Sequence, residues 1–491
     1  MKIILLLALS STALADYDAK ISLGERLFND PRFSKEFVQN ASDVNDNAAK
    51  GTSCIDCHKV DSEFDPTTGL GMHTYSDNTA KTPVPLRLED KIVTTLRNTP
   101  PLVGIGSPYA EARFSHWDGE FADHSETVLG NFAGRNTGWL ANEKAEALQN
   151  IVNVIKKDNG SSELAQEFGG SYERVFLGVD PSLPEELRLK ASDRVDVLKA
   201  SNEQIINLVV DAVTAYIDDL DFERDENDQY IGSPYDKFLL KNNLPTAPAK
   251  GQSIHQYMIE LRSGLAKLES PLFVAKTHFA THGREFGFGP QEWEGLKVFF
   301  NLPKPDGSLN QGMCLSCHKP PMFTDYQFHN VGIAQMEYDK VHGEGSFNKL
   351  NIPDHATRGD TTFLRSPIKE DPSAVDLGVW NFFDRKPEIT KHMRGQNCSL
   401  FEKCTNDKVL PLMIAKFKTP SLRNLNHSAP YFHNGSSPHL YHLLHQYKRA
   451  SNLMRKGELR NGDVRLKSVK LFHHEIHSLV PFLESLNEEY E

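Results

Sequence analysis

The sequence of 491 residues has only six cysteines, no excess of positive charge, and no long apolar run beyond its first residues. Its formal net charge of −12 argues against a nucleic-acid partner, because proteins that bind nucleic acids usually present a basic surface. The same charge is compatible with a basic protein partner. Since no later apolar stretch approaches the length of a bilayer span, we predict no membrane span in the rest of the chain.

Four of the six cysteines lie in two copies of one short motif, Cys-x-x-Cys-His, at residues 54–58 and 314–318. Two thiols on one tight turn can form thioethers with the two vinyl groups of a haem, and the adjacent histidine then lies under the iron. A redox dithiol, a zinc knuckle and a structural disulfide are the alternatives. We predict two covalent c-type haems, attached at Cys54 and Cys57 with ligand His58, and at Cys314 and Cys317 with ligand His318.

The remaining cysteines, Cys398 and Cys404, are six residues apart. In an exported chain this spacing predicts a local disulfide, with metal ligation as the alternative. Export is expected because Met1-Lys2, an apolar run over 3–9 and an Ala13-x-Ala15 cleavage site together resemble a secretory signal peptide. We therefore predict a signal peptide over residues 1–15 and a periplasmic location, which suits both disulfides and c-type haems. A retained anchor is the alternative.

The rest of the chain, about 475 residues, is too long for one core and predicts two or three domains. Helical periodicity appears over 142–157, 184–200 and 202–220, whereas 319–410 is predicted as an irregular stretch over the surface. Anchoring the sequence on the two haem motifs reveals a repeat. Its matching parts are Gly24-x-x-Leu27-Phe28 with Gly295-x-x-Val298-Phe299, Leu-Arg-Asn at 96–98 and 422–424, and Trp117-Asp118-Gly119 with His433-Asn434-Gly435.

This repeat predicts a mainly α fold: two cytochrome c-like domains from a duplicated haem-binding unit, with long loop insertions. The acidic run at 218–228 and the Pro- and Ala-rich segment at 241–250 suggest a linker. We place the N-terminal domain at 16–245 and the C-terminal domain at 246–491.

Several runs resemble the bacterial di-haem cytochrome c peroxidase family, which includes the MauG-type enzymes. Besides the haem motifs they are Leu23–Phe28, Arg97–Pro100, Trp117–Gly119, Phe323–Asp325, Phe328–Gly332, Phe417–Asn424 and Ala429–Gly435. The resemblance implies that the His58 haem is the peroxidatic one and that the His318 haem transfers electrons. It also implies that Trp117 relays electrons between the haems, and that Asn98, Ser428 and Pro430 hold one calcium ion, a cation suited to oxygen donors.

In this family the sixth ligand of the second haem is Met in typical peroxidases and Tyr in MauG-type enzymes. The corresponding position here is Tyr447, with Met454 or His445 as alternatives. A phenolate favours ferric and higher-valent iron, whereas a thioether raises the reduction potential. Tyr447 therefore favours a MauG-like variant.

The chain departs from the family at the distal side of the first haem. Family peroxidases carry a Gln and a Glu there, but the matching positions hold Thr127 and, within a residue, Asn136-Thr137. Because cleavage of a peroxide needs a group that moves a proton, His73 and Glu143 are the candidate catalytic substitutes. His116 and His124 are further candidates.

Of three possible functions, we predict the first and keep the other two as alternatives. The first is a peroxidase that reduces hydrogen peroxide with electrons from a small cytochrome c, a copper protein or an oxidisable residue of a protein substrate. The second is an oxygenase similar to the rubber oxygenases, which cleaves an organic substrate with O₂. The third is an electron-transfer cytochrome without enzymatic activity. The missing distal carboxylate favours the second over a classical peroxidase, whereas Tyr447 favours a MauG-like form of the first.

Overall fold

Helices form most of the regular structure in the computed structural model, which describes residues 19–58, 82–110 and 114–489. The predicted signal peptide and His73 lie outside these residues. Among them, no helix is both long enough and apolar enough to cross a membrane. The helices are α1 (Ala19–Asn29), α2 (Lys35–Asn40), α3 (His124–Phe132), α4 (Lys144–Lys157), α5 (Glu163–Glu167), α6 (Tyr172–Leu177), α7 (Asn202–Asp219), α8 (Pro234–Lys241), α9 (Ile254–Ala266), α10 (Pro290–Phe299), α11 (Ile333–His342), α12 (Ser346–Lys349), α13 (Pro387–Asn397), α14 (Asn406–Val409), α15 (Leu440–Lys456) and α16 (His473–Glu484).

Within the described ranges, the few strands form two short antiparallel pairs. One pair joins β1 (Val274–Phe279) to β2 (Arg284–Phe288), and the other joins β3 (Phe328–His329) to β4 (Phe417–Lys418). The predicted mainly α fold class is therefore confirmed.

The described chain divides into two compact units. The first unit contains residues 19–53 and 132–219, and the second contains the described residues of 54–131 and 220–489. The predicted boundary between 245 and 246 concerns the duplicated sequence units and stays a prediction.

In the first unit, α1 crosses α7 at Gly24. A Cβ atom at Gly24 would lie 2.1 Å from the backbone oxygen of Ala212, so only glycine permits this approach. One turn further along both helices, the rings of Phe28 and Tyr216 pack edge to face with centroids 5.3 Å apart. The sequence run Gly24-x-x-Leu27-Phe28 is therefore a helix-crossing motif.

The second unit repeats this crossing between α10 and α16. A Cβ atom at Gly295 would lie 2.1 Å from the backbone oxygen of Ser478, and the rings of Phe299 and Phe482 have centroids 5.1 Å apart. The glycine and the aromatic residue keep the same spacing as in α1. This shared geometry supports the predicted duplication of a cytochrome c-like unit.

The helix predictions were correct at α4 and α7 and wrong over 184–200. That segment contains only a short 3₁₀ turn at Glu185–Leu187. Its backbone makes a hydrogen bond to another part of the chain: the Val195 amide donates to the carbonyl of Phe176 at 2.9 Å. The buried side chains of Leu189 and Val197 therefore reflect packing of an irregular segment and not a helix face.

The expectation that 319–410 is an irregular surface stretch was also wrong. Helices α11, α12 and α13 lie within it, and Trp380, Ile389 and Met393 are fully buried in a hydrophobic cluster that also includes Phe114 and Trp117. The predicted disulfide between Cys398 and Cys404 is confirmed, with their Cα atoms 5.1 Å apart.

Candidate haem sites

The two Cys-x-x-Cys-His motifs adopt the same local structure, a single 3₁₀ turn in the second unit. The amide of His58 donates to the carbonyl of Cys54 at 2.9 Å, and the amide of His318 donates to the carbonyl of Cys314 at 2.9 Å. None of the four cysteines is in a disulfide. Each turn therefore presents two thiols that are not in a disulfide, together with one imidazole, as haem attachment requires.

Burial keeps three of these thiols protonated. It raises the pKa of Cys54, Cys314 and Cys317 to about 12 in each case. Burial also lowers the pKa of His58 to about 4, so this imidazole is neutral near pH 7. A neutral imidazole is the form that binds a metal.

The second motif opens into a cavity that encloses about 1570 Å³ of empty space, including its mouth. Cys314, Cys317 and His318 line it, and most of its surface is apolar. The Nδ1 atom of His318 is 2.8 Å from the carbonyl oxygen of Phe323. This bond fixes the orientation of the ring and leaves Nε2 for a metal. The thiols, the imidazole and the apolar walls fit a covalently attached haem.

The predicted sixth ligand, Tyr447, lies on the wall formed by α15. Leu440, Leu443, Leu444 and Tyr447 line the cavity at helical spacing, so they share one face of this helix. Neither Met454 nor His445 lines it. Burial raises the pKa of Tyr447, and the neighbouring thiols of Cys317 and Cys314 raise it further. A phenolate at this position therefore needs a cation beside it, such as haem iron.

Trp117 lines the same cavity and is buried. Its indole Nε1 donates a hydrogen bond to the backbone oxygen of Asn98 at 2.8 Å. The next residue, Asp118, is paired with Arg97, which also binds Asp376 with a distance of 2.6 Å. The predicted relay residue is thus held rigidly at the wall of a haem site.

The Asn98 side chain reaches the loop that holds the other predicted calcium ligands. Its Nδ2 atom donates to the carbonyl of Pro430, and it lies 3.3 Å from the carbonyl oxygen of Phe432. The Ser428 hydroxyl donates to the backbone oxygen of Asn424 at 3.2 Å. Asn98 Oδ1 is buried and has no hydrogen-bond partner in the described chain. The structure therefore brings Asn98 and Pro430 together.

Around the first motif, His116 is close enough to lower the pKa of His58, and its Nδ1 pairs with Glu120 at 3.0 Å. Glu143 belongs to the first unit, where its carboxylate accepts from the Leu140 amide at 2.9 Å and lies 3.4 Å from Lys35 Nζ. It caps a turn, and its catalytic role stays a prediction. Asn136 is exposed, and the Thr127 hydroxyl donates to a backbone carbonyl at 2.8 Å.

Sequence reasoning missed a charged cluster at the edge of the second cavity. His329 lies between two carboxylates, with Nε2 2.9 Å from Asp325 and Nδ1 2.9 Å from Asp463. Arg465 pairs with Asp463 at 2.7 Å and also lines the cavity. Only Asp325 and His329 fall in sequence runs that resemble the di-haem cytochrome c peroxidase family. Asp463 and Arg465 are far away in sequence and carry no local signal.

The paired attachment turns, and the cavity with a histidine and a tyrosine on its walls, define a c-type haem protein. Residues 18–243 match the family model described as di-haem cytochrome c peroxidase. The similarity to this family is shown over these residues, which make up somewhat less than half of the chain. Residues 417–453 match a second model, described as RoxA-like, cytochrome c-like.

Curated relatives carry the same family description in their names. The chain is 27% identical over 199 residues to the cytochrome-c peroxidase IdrP2 of Denitromonas iodatirespirans, covering 40% of each protein. It is 24% identical over 174 residues to the cytochrome-c peroxidase IdrP1 of the same organism, covering 35% of this chain and 36% of the relative. The matched region thus spans well under half the length of these relatives.

Two solved structures align with nearly the whole of this chain but share little sequence with it. One is a MauG-like protein associated with microbial copper homeostasis, with TM-score 0.47, 16% identity, and 98% and 96% of the two chains covered. Another is the diheme peroxidase BthA from Burkholderia thailandensis, with TM-score 0.44, 17% identity, and 98% and 89% covered.

Proposed function

We propose that this protein is a periplasmic peroxidase-type oxidoreductase of MauG-like character. Hydrogen peroxide would react at the haem on His58, and electrons would pass through the haem on His318. The observation that carries this proposal is the second cavity, where His318, Tyr447 and Trp117 share one apolar enclosure. Haem iron would supply the redox chemistry and the activation of the O–O bond.

The protein's own residues set the properties of the second site. His318 is oriented by its bond to Phe323, and a phenolate from Tyr447 would disfavour reduction of the iron. Trp117 offers an oxidisable ring on the cavity wall, fixed by its bond to Asn98. This arrangement suits removal of electrons from a donor protein, a small cytochrome c or a copper protein, or from a residue of a protein substrate.

Proton transfer at the first haem would be provided by His73 or Glu143. Reduction of peroxide requires one group to accept a proton and return it to the leaving oxygen. Thr127 and Asn136 cannot act as this base, because a hydroxyl and an amide do not take up protons near pH 7.

A calcium ion would be held by Asn98, Ser428 and Pro430. The buried Asn98 Oδ1 has no hydrogen-bond partner in the described chain, and the Pro430 carbonyl lies beside the same amide. Exchanging the two atoms of this amide would direct two oxygens at one point, which suits a hard cation.

The test is electron paramagnetic resonance of the diferric holoprotein, followed by optical spectra after stoichiometric hydrogen peroxide. We expect one high-spin and one low-spin ferric signal, and a long-lived spectral change after peroxide. Two low-spin haems that do not react with peroxide, even after one-electron reduction, would rule out the peroxidase and leave an electron-transfer cytochrome.

A second candidate is a haem-dependent oxygenase that cleaves an organic substrate with O₂. It is favoured by the match of residues 417–453 to the RoxA-like model and by the amide at Asn136. A stable dioxygen adduct in the protein as isolated, with no reaction toward peroxide, would select this function.

A further inference from the structure

Helices α15 and α16 carry a group of aromatic and imidazole side chains that the haem sites do not use. We call Tyr441, His445, His473 and His477 the α15–α16 cluster. None of its four members lines the haem cavity. The rings are close together: the centroids of Tyr441 and His445 are 4.7 Å apart, and those of His473 and His477 are 4.6 Å apart.

Two histidines of the cluster already have the geometry of a chelating pair. His473 and His477 are four residues apart on α16, so their side chains lie on the same face of the helix. Their Nε2 atoms are 3.2 Å apart. Two imidazole nitrogens on one tetrahedral zinc ion, each at 2.0–2.1 Å, are separated by about 3.3 Å. The pair therefore needs little rearrangement to share an ion.

A contact outside the pair occupies Nδ1 of His473 and leaves Nε2 as the nitrogen that would bind. The Nδ1 atom of His473 lies 3.2 Å from the hydroxyl of Tyr441. With the proton on Nδ1 donated to this hydroxyl, the lone pair of His473 is on Nε2 and directed toward His477. Partners of this kind fix the tautomer of ligating histidines.

A third nitrogen is available from the neighbouring helix. His445 Nε2 is buried and has no hydrogen-bond partner among the residues that the structure describes. Its ring centroid is 6.4 Å from that of His473. In the described chain, three histidine, cysteine or carboxylate donors converge within 4.8 Å only at Cys317, Asp325 and His329. The three histidines of the α15–α16 cluster do not yet converge in this way, so His445 would have to rotate its side chain to complete the site.

We propose that the α15–α16 cluster binds one divalent transition metal, with His473 and His477 as the primary ligands and His445 as the third. Imidazole nitrogens select zinc, copper or nickel over magnesium and calcium, which prefer several oxygen ligands. The cluster lies on a face of α15 different from the one that carries Tyr447. This inference does not depend on the proposed peroxidase activity.

The test is calorimetric titration of the chelator-treated, calcium-replenished holoprotein with Zn²⁺, and separately with Mg²⁺. We expect one zinc ion per chain at this site and no comparable magnesium binding. The double variant His473→Ala/His477→Ala is expected to lose this binding, and His445→Ala is expected to weaken it by about tenfold or more. The haem absorption spectrum and the circular dichroism confirm that each variant folds.

His474→Ala is the matched control. His474 is exposed on the same helix but stacks on Phe472, with ring centroids 5.9 Å apart, so its loss should leave zinc affinity unchanged. The variant His477→Gln keeps a polar side chain and should also weaken binding if the double alanine variant fails to fold. Zinc binding that survives in His477→Gln and the double variant, or that falls equally in His474→Ala, would overturn the proposal.

Discussion

Tyr447 is placed by the helix that carries it, among three leucines that line the same apolar cavity. We expect Tyr447→Met to raise the reduction potential of the His318 haem, on the order of tenths of a volt, because a thioether stabilises ferrous iron more than a phenolate does. Spectroelectrochemical titration measures this shift. Tyr441→Met on the same helix should leave the potential unchanged. An unchanged potential in Tyr447→Met would show that another residue ligates the iron.

Trp117 is held by one hydrogen bond to a backbone carbonyl, and so is Trp139, whose Nε1 donates to the carbonyl of Phe33 at 3.0 Å. Trp117→Phe should slow electron transfer between the haems by about tenfold or more, equivalent to about 1.4 kcal/mol in the barrier, because phenylalanine is harder to oxidise. Stopped-flow spectroscopy after peroxide measures this rate. Trp139→Phe removes the same kind of bond and should not change it; equal rates in all three proteins would exclude a relay role for Trp117.

At the residue scale, sequence reasoning succeeds where the chemistry is contiguous. The Cys-x-x-Cys-His motifs place all their groups on one turn, so both attachment sites could be predicted. Asp463 and Arg465 could not, because they meet His329 only through the fold. Tyr447 could be located only through the resemblance to a family, since a tyrosine on an amphipathic helix is common.

Two helix crossings that depend on glycine recur in the two units. Gly24→Ala and Gly295→Ala should each destabilise the protein by roughly 1–3 kcal/mol, because the added Cβ would lie 2.1 Å from a backbone oxygen. Chemical denaturation followed by circular dichroism measures the free energy of unfolding. Gly395→Ala on α13 is the control: no atom lies within 4 Å of its Cβ position, so a gain of up to about 1 kcal/mol is expected. Equal stability of all three variants would contradict the packing argument.

At the element scale, periodicity predicted α4 and α7, whose apolar residues recur on one face of each helix. It failed over 184–200, where buried residues occur without a helix, and it could not show that 319–410 has its own core. The backbone of the first segment is bonded to Phe176, and the buried residues of the second cluster with Phe114 and Trp117. A local pattern contains neither of these partners.

For the whole molecule, stability depends on histidines that are buried as neutral groups. The rings of His282 and His427 have centroids 4.0 Å apart, and burial lowers the pKa of His282 to about 4 and that of His427 to about 3. The unfolded chain takes up protons on these imidazoles below about pH 6.5, whereas the folded chain does so only near pH 4 at His282 and near pH 3 at His427. Their contribution to the free energy of unfolding is therefore present above about pH 6.5 and falls as the pH decreases from there to these values.

Denaturation at several pH values should show this loss, at most about 1.4 kcal/mol per pH unit for each histidine. Glu488 acts in the opposite direction, because burial raises its pKa to about 8 and stability falls as the pH rises from about 4.5. The informative quantity is the difference in the free energy of unfolding between the wild-type protein and the double variant His282→Gln/His427→Gln at each pH. The loss of stability at acid pH should be smaller in the variant. Parallel pH profiles would refute this assignment.

The burial of the Cys54, Cys314 and Cys317 thiols affects how readily haem can be attached to them. The thiolate is the reactive form of cysteine, and a pKa of about 12 leaves almost none of it at neutral pH. Haem attachment to these thiols is therefore expected to be faster in the unfolded chain, where the pKa of a cysteine is about 8.5 and more thiolate is present.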